Sequence, residues 1–505
     1  METRTWAMAL MLVGYAVVLL GLAIRAARRT RSLADYAVGS QGFPAIAVGL
    51  SLAASVTSAA TFVINPGFVA LYGWSAFLAM SVILPIGLIG SLIVLTRSFR
   101  RYGTHVRALT LAQWMQKRYH SEALGRWFAV LSLLLLTFVV LICVGLTKVI
   151  ASALSISEFP VLVGLVVFVF GYMMFGGANS MVYTNAVQAV LMLIVAVLML
   201  SSGWQHWAGG WDAFWAKVAA IDPLLTQPTN PKSALFRDWF EVAFCNFVVG
   251  VAVVCQPHIV TRSLLLRDER DVSRYLLVGI VAEVVFFAVL FTGFYARLTF
   301  PDVTGANGAA LPMDGIIPAY VVQVFPVGAS LVVVLGLLSA GLSTLEGLIQ
   351  SLSTTLTADL IGPWLGKRWP LSGAQQARLN RAVIAALAGV AIIWSHQQLV
   401  RPNLSVAILA QNGVYAFFSA AFMPVLFGIF FPKTPSQAVW AASVIAVVVH
   451  FTVYYGGLTT YTSGVVRNPA VAASLAILSS VAAGALATWL VSRTLLFASK
   501  TETTS

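Results

Sequence analysis

Apolar residues fill the chain in long blocks, and polar residues collect in the gaps between them. A block of about twenty apolar residues can cross a bilayer as a helix, because the helix satisfies its backbone hydrogen bonds internally. The pattern predicts about thirteen spans: 5–26, 43–72, 75–96, 124–153, 159–175, 180–203, 238–260, 274–296, 327–358, 382–398, 404–430, 437–456 and 468–492. The fold class expected is therefore an all-α polytopic membrane protein, a single domain seated in a lipid bilayer. Two blocks are interrupted by hydroxyls. Ser51-Leu-Ala-Ala-Ser-Val-Thr57-Ser58 lies in 43–72, ahead of the helix breaker Pro66-Gly67, and Ser339-Ala-Gly-Leu-Ser343-Thr344 lies in 327–358. Hydroxyls at that depth must find partners other than water. Two such interruptions in separate spans can supply the oxygens for a desolvated small cation, as ion-coupled transporters do.

Composition agrees with the pattern. The 505 residues are 59% hydrophobic and 9% charged, with a mean hydropathy of +0.90. Cys143, Cys245 and Cys255 all fall in spans without a CxxC pairing and read as apolar packers. A net charge of +13 raises the question of nucleic acid, but placement answers it. Of 30 Lys and Arg residues, 22 fall on one side of the thirteen-span topology, 7 on the other, and Lys148 lies inside a span. That asymmetry puts the N-terminus outside and the C-terminus in the cytoplasm of a plasma (inner) membrane, with no nucleic-acid partner. The cluster Arg25 to Arg31 follows the first apolar block, so this block is not a cleavable signal peptide. Trp204, Trp207, Trp211 and Trp215 sit in the connection 204–237, as expected near an interface. No HExxH, GxSxG or Walker-type loop occurs, and the expectation is a carrier rather than an enzyme.

Four segments in order resemble the sodium:solute symporter family, which includes sodium-coupled proline, pantothenate, sugar and monocarboxylate carriers. They are Asp35-Tyr-Ala-Val-Gly-Ser-Gln-Gly-Phe43, Thr110-Leu-Ala-Gln-Trp-Met-Gln-Lys-Arg118-Tyr119, Gln256-Pro257-His258-Ile-Val-Thr-Arg262, and the pair Ser343-Thr344. The resemblance covers roughly 1–490. It implies the leucine-transporter fold, with inverted five-span repeats at 43–203 and 238–430 and peripheral helices at 5–26 and 437–492.

A dehydrated sodium ion takes about five or six oxygens. Ser343 and Thr344 lie about 100° apart on a helix, and Ala340 precedes them by one turn, so two hydroxyls and one carbonyl can converge. The resemblance adds backbone carbonyls of Ala54 and Thr57 from an unwound second span. Sodium is then the co-transported ion. The ordinary alternative is that both hydroxyls bond the carbonyl one turn back. Asn185 stands where many family members carry aspartate, sometimes supporting a second sodium; a neutral amide points to one sodium per cycle. Gln188 shares its helix, and both could simply bond between helices. Lys148 reads as a snorkelling cation or an anchor for a carboxylate. Glu346 reads as a proton site or a polar contact, and Glu283 and His450 fall in the same class.

The small-molecule solute is expected at the repeat interface, framed by Thr57, Ser58 and Phe62, by Asn246, Phe247 and Gly250, and by Gln411, Asn412 and Tyr415; core packing is the other reading of these residues. The run Asn246 to Val254 suits a small, partly apolar solute such as a monocarboxylate, pantothenate-like acid or amino acid. The function expected is sodium-coupled import by alternating access. The alternatives are a proton-coupled or facilitative carrier with Glu346 titrating, or a transporter-like membrane sensor.

Overall fold

The computed structural model describes residues 2–39, 42–154, 156–305, 310–366, 371–401 and 406–502. Ser40 and Gln41 of the first family-like segment, the basic residues Lys367 and Arg368, and Leu404 and Ser405 of the predicted eleventh span lie outside the described residues.

The described residues are almost entirely helical. Eleven helices are long and apolar enough to cross a membrane, and two bent pairs raise the number to as many as 13. In chain order the spans are Trp6–Ala27 (span 1), Ala45–Val56 with Ala60–Tyr72 (span 2), Trp74–His105 (span 3), Glu122–Leu154 (span 4), Glu158–Gly176 (span 5) and Ala178–Trp207 (span 6). They continue with Phe240–Val253 and Pro257–Leu265 (span 7), Asp271–Thr299 (span 8), Val327–Gly366 (span 9), Gly373–Val400 (span 10), Val406–Phe430 (span 11), Ser436–Gly456 (span 12) and Pro469–Val491 (span 13). Every predicted block finds a helix.

Helix breaks follow local chemistry. Span 2 bends by 59° at its interruption. Thr57 leaves the helix with φ −89° and ψ 115°, and the Ser58 hydroxyl accepts from the Ala60 amide at 3.2 Å to start the second half. The sequence pointed to Pro66-Gly67 as the breaker, but the bend falls at 57–59. Pro66 lies inside the continuous half Ala60–Tyr72, directly after a π-helical turn at Ala60–Ile64, and the helix runs through it without a bend. Span 7 also bends by 59°, between Val253 and Pro257.

Packing places the bends at the centre. Span 2 lies against spans 6 and 8, span 7 crosses span 3, span 9 lies on span 6, span 11 on span 4, and span 10 on span 5. Spans 12 and 13 pack on each other and on span 11, while span 1 lies against spans 5 and 6. Small residues permit the closest crossings, as is usual where lipid removes the hydrophobic drive between helices. A Cβ on Gly87 would stand 2.6 Å from the Phe247 carbonyl, and one on Gly250 would run into the Leu84 carbonyl. Gly250→Val should therefore lower the thermal midpoint in detergent, by an amount equivalent to about 1–3 kcal/mol. An unchanged midpoint would show that spans 3 and 7 can separate freely.

The connections also carry structure. Trp207 stacks on Phe214 at 4.2 Å, and with Phe291, Trp215 and Trp74 they form an aromatic block; Trp204 and Trp211 stay exposed. Tyr461 donates to Asp238 at 2.7 Å, and this carboxylate pushes the phenol up to about 12. Arg237 pairs with Glu241 at 2.7 Å and donates to the Thr460 and Tyr461 carbonyls, each at 3.2 Å, so the connection after span 12 is fastened to the start of span 7.

Candidate sodium and solute site

The bend in span 2 frees carbonyls that a continuous helix would use. Ala54 would otherwise accept from residue 58. Its oxygen instead accepts from the Ser343 hydroxyl at 2.7 Å, and the Thr57 oxygen accepts from the Thr344 hydroxyl at 3.2 Å. Both hydroxyls also reach the Ala340 carbonyl, at 3.1 and 3.2 Å. Ala54, Thr57, Ala340, Ser343 and Thr344 are all fully buried. Back-bonding to Ala340 is the ordinary behaviour of such hydroxyls; the reach across to a broken neighbouring helix is not. Five neutral oxygens from two spans match the donor set of a hard monovalent cation.

A second polar cluster lies toward the Arg262 end. Arg262, 2% exposed, donates to Ser51 Oγ at 2.8 Å, to Ser55 Oγ, and to the His258 carbonyl at 3.1 Å. Glu346 accepts from Tyr172 at 2.6 Å, Thr184 at 2.5 Å and Gln188 at 3.0 Å. Asn185 bridges the two charges. With its amide oriented to satisfy both neighbours, its oxygen accepts from Arg262 Nη2 and its nitrogen donates to Glu346 Oε2, each at 3.2 Å. Asn185 and Glu346 are therefore members of one buried network that ties span 2 to spans 6, 7 and 9.

The expected solute frame assembles only in part. Thr57, Ser58 and Phe62 stand at the bend, and Phe62 packs edge-on against Phe286 of span 8 at 5.8 Å. The residues of spans 7 and 11 turn elsewhere. Asn246 bonds the Glu241 carbonyl at 2.8 Å, Phe247 is half-exposed, and Gly250 closes on Leu84. Asn412 bonds Tyr455 at 2.9 Å and His450 at 2.8 Å, Gln411 is half-buried, and Tyr415 packs at a tilt against Phe418 at 5.0 Å. The cause is helical phase: Asn412 faces span 12, which packs where the frame was expected to open. Lys148 pairs with Asp314 at 3.4 Å, both half-exposed, so its charge is matched within the protein.

The sequence profile of the sodium:solute symporter family matches residues 36–446. The chain belongs to that family. Its relatives include a sodium/pantothenate symporter of Escherichia coli strain K12, 28% identical over 457 residues that cover 87% of this chain and 89% of the relative. They include a sodium/sialic acid symporter of Aliivibrio fischeri, 24% identical and covering 75% and 74% of the two chains. Among solved structures, a substrate-bound, outward-open Na+-coupled sialic acid symporter superposes with a TM-score of 0.78 at 18% identity, covering 96% of this chain and 97% of that one. The leucine-transporter type of fold expected from the sequence is the one present, in a multi-pass membrane protein.

Other motif residues of the family fasten helices. Thr110 caps its helix and donates to Asp359 at 2.6 Å, while Arg118 and Tyr119 bond the Gly428 and Pro424 carbonyls at 2.5 Å. Sequence reasoning did not foresee that the Thr57 hydroxyl would meet Glu283 Oε2, at 3.1 Å. A carboxylate inside an apolar block was the available signal; its partner lies 226 residues away in the chain and leaves no local trace.

Proposed function

We propose that this chain imports a small, partly apolar organic solute together with one sodium ion per cycle, by alternating access in the plasma membrane. The observation that carries the reading is the meeting of the Ser343 and Thr344 hydroxyls with carbonyls freed by the bend in span 2. Sodium at these oxygens draws span 2 onto span 9; inward opening parts them and releases both ligands. One sodium is supported by Asn185, whose amide is engaged by Arg262 and Glu346. Glu346 accepts from several donors and acts as a structural member of that network, which speaks against a proton-driven cycle centred on it.

Two further features support the inverted-repeat reading of 43–203 and 238–430. The first span of each five is bent, by 59° in both. Exchanging each span for the one five later carries the pair 2–8 onto 7–3 and the pair 6–9 onto 11–4, and returns 5–10 to itself. The basic residues of 25–31, 97–126 and 262–274 then face the cytoplasm.

One charge moving through 100 mV is worth about 2.3 kcal/mol, and a tenfold sodium gradient about 1.4 kcal/mol. One sodium can thus concentrate a neutral or zwitterionic solute several hundred-fold, by about these terms. Solute added to proteoliposomes should evoke an inward, sodium-dependent current, and in detergent sodium alone should raise the thermal midpoint over choline. Uptake indifferent to sodium would remove the reading.

A further inference from the structure

Glu283 of span 8 is fully buried, and among the described residues only one of its two oxygens has a partner. Oε2 accepts from the Thr57 hydroxyl at 3.1 Å, while Oε1 meets no donor among the described residues. The face of span 8 that carries it is the face turned to span 2. One turn before it, Gly279 closes on Leu52; one turn after, Phe286 sets its ring against Phe62 at 5.8 Å and 60°. Glu283 therefore stands level with the bend, between Thr57 and an aromatic pair.

Nothing charged on the neighbouring elements answers it. The inner half of span 2 (45–56), its outer turn 60–64 and the turn 78–83 of span 3 hold no ionisable residue. Span 6 offers Tyr183, which packs against Phe43, and at its far end His206, which stacks on Tyr295 at 6.1 Å. The arginines of span 3 lie toward the far end of span 8, where Arg97 bonds Ser273 at 3.0 Å. A carboxyl oxygen buried at mid-membrane without a donor is costly, and such a group marks a ligand pathway more often than a packing site.

We infer that Glu283 contacts the solute, and that the solute presents a protonated amine to it; this rests on the symport reading and narrows its solute. An ammonium group brings both the missing donors and the opposite charge, in a charge-assisted bond of the stronger kind. The rings of Phe62 and Phe286 suit a cation as they would not suit a bare carboxylate. A solute with a carboxylate and no amine would offer no donor to the unpaired Oε1. An amino acid adds its own carboxylate between its amine and the sodium ion, which relieves the repulsion of two cations. Thr57 then serves both ligands: its hydroxyl holds Glu283, and its carbonyl faces the sodium oxygens. Solute and ion thereby organise the same short stretch of unwound backbone.

The test is a thermal-shift titration of the purified full chain in sodium. The probes are the standard amino acids, each with its 2-hydroxy acid counterpart, together with pantothenate. The strongest stabiliser should be an amine, and its hydroxy acid should bind at least about tenfold more weakly. A hydroxy acid or pantothenate as the strongest ligand would overturn the inference while leaving sodium coupling intact. Glu283→Gln keeps the size and an acceptor for Thr57, and should reduce the amine preference to within about threefold. Glu283→Asp should retain part of it. An undiminished preference in Glu283→Gln, in a sample that sodium still stabilises and that is therefore folded, would also overturn it. Amine binding that needs Glu283 and ignores sodium would uphold the contact and sink the symport.

Discussion

Replacing Ser343 and Thr344 together by Ala is expected to raise the sodium concentration for half-maximal uptake by about a hundredfold, if each lost ligand is worth about 1.5 kcal/mol. The protein should remain folded, because among the described residues the two hydroxyls bond only the carbonyls of Ala54, Thr57 and Ala340, and their deletion removes no backbone bond. The measurement is initial uptake against sodium concentration in proteoliposomes, with the solute chosen by thermal shift. At saturating sodium the solute half-saturation should return toward that of the unaltered protein, because in the proposed cycle the ion acts by completing the pocket. Thr344→Ser keeps a hydroxyl at the same carbon and should retain most of the affinity. A hundredfold loss of solute affinity at saturating sodium, or an unchanged sodium curve, would mean that these hydroxyls fasten spans 2 and 9 without holding an ion.

The spans were legible in the sequence because bilayer crossing imposes a length and an apolarity on every block, and all thirteen blocks recur as helices. The meeting of Ala54, Thr57, Ala340, Ser343 and Thr344 was anticipated through the family resemblance, with helical spacing supplying the three residues of span 9. What the pattern did not carry was rotation. In a helix buried on several sides, apolarity does not mark which face looks inward, so Phe247 and Asn412 were expected to share the frame with Thr57, whereas Phe247 is half-exposed and Asn412 bonds Tyr455 and His450 of span 12. Contacts between distant spans were equally hidden. Arg262 and Glu346 read separately as a motif residue and an isolated acid, and only the fold brings Asn185 between them. The same holds for Glu283, whose only bonded partner among the described residues lies in the unwound stretch of span 2.

The Arg262 network should be the most sensitive part of the buried core. Arg262→Met removes every donor to Ser51, Ser55 and the His258 carbonyl and leaves Glu346 without its counter-charge, a change that ordinarily costs about 3–5 kcal/mol. The thermal midpoint should fall steeply, more than for a substitution of either hydroxyl at the proposed sodium site, Ser343 or Thr344. Glu346→Gln alone should cost less, since an amide can still meet Tyr172, Thr184 and Gln188. The informative sample is the double variant. If the two charges support each other through Asn185, Glu346→Gln in the Arg262→Met background should restore stability, and the cycle should show a coupling of about 1 kcal/mol or more. Strict additivity would mean that the bridge through Asn185 carries no energy. In that case Arg262 holds span 2 to span 7 by its serine bonds alone, and Glu346 belongs to a separate contact between spans 6 and 9.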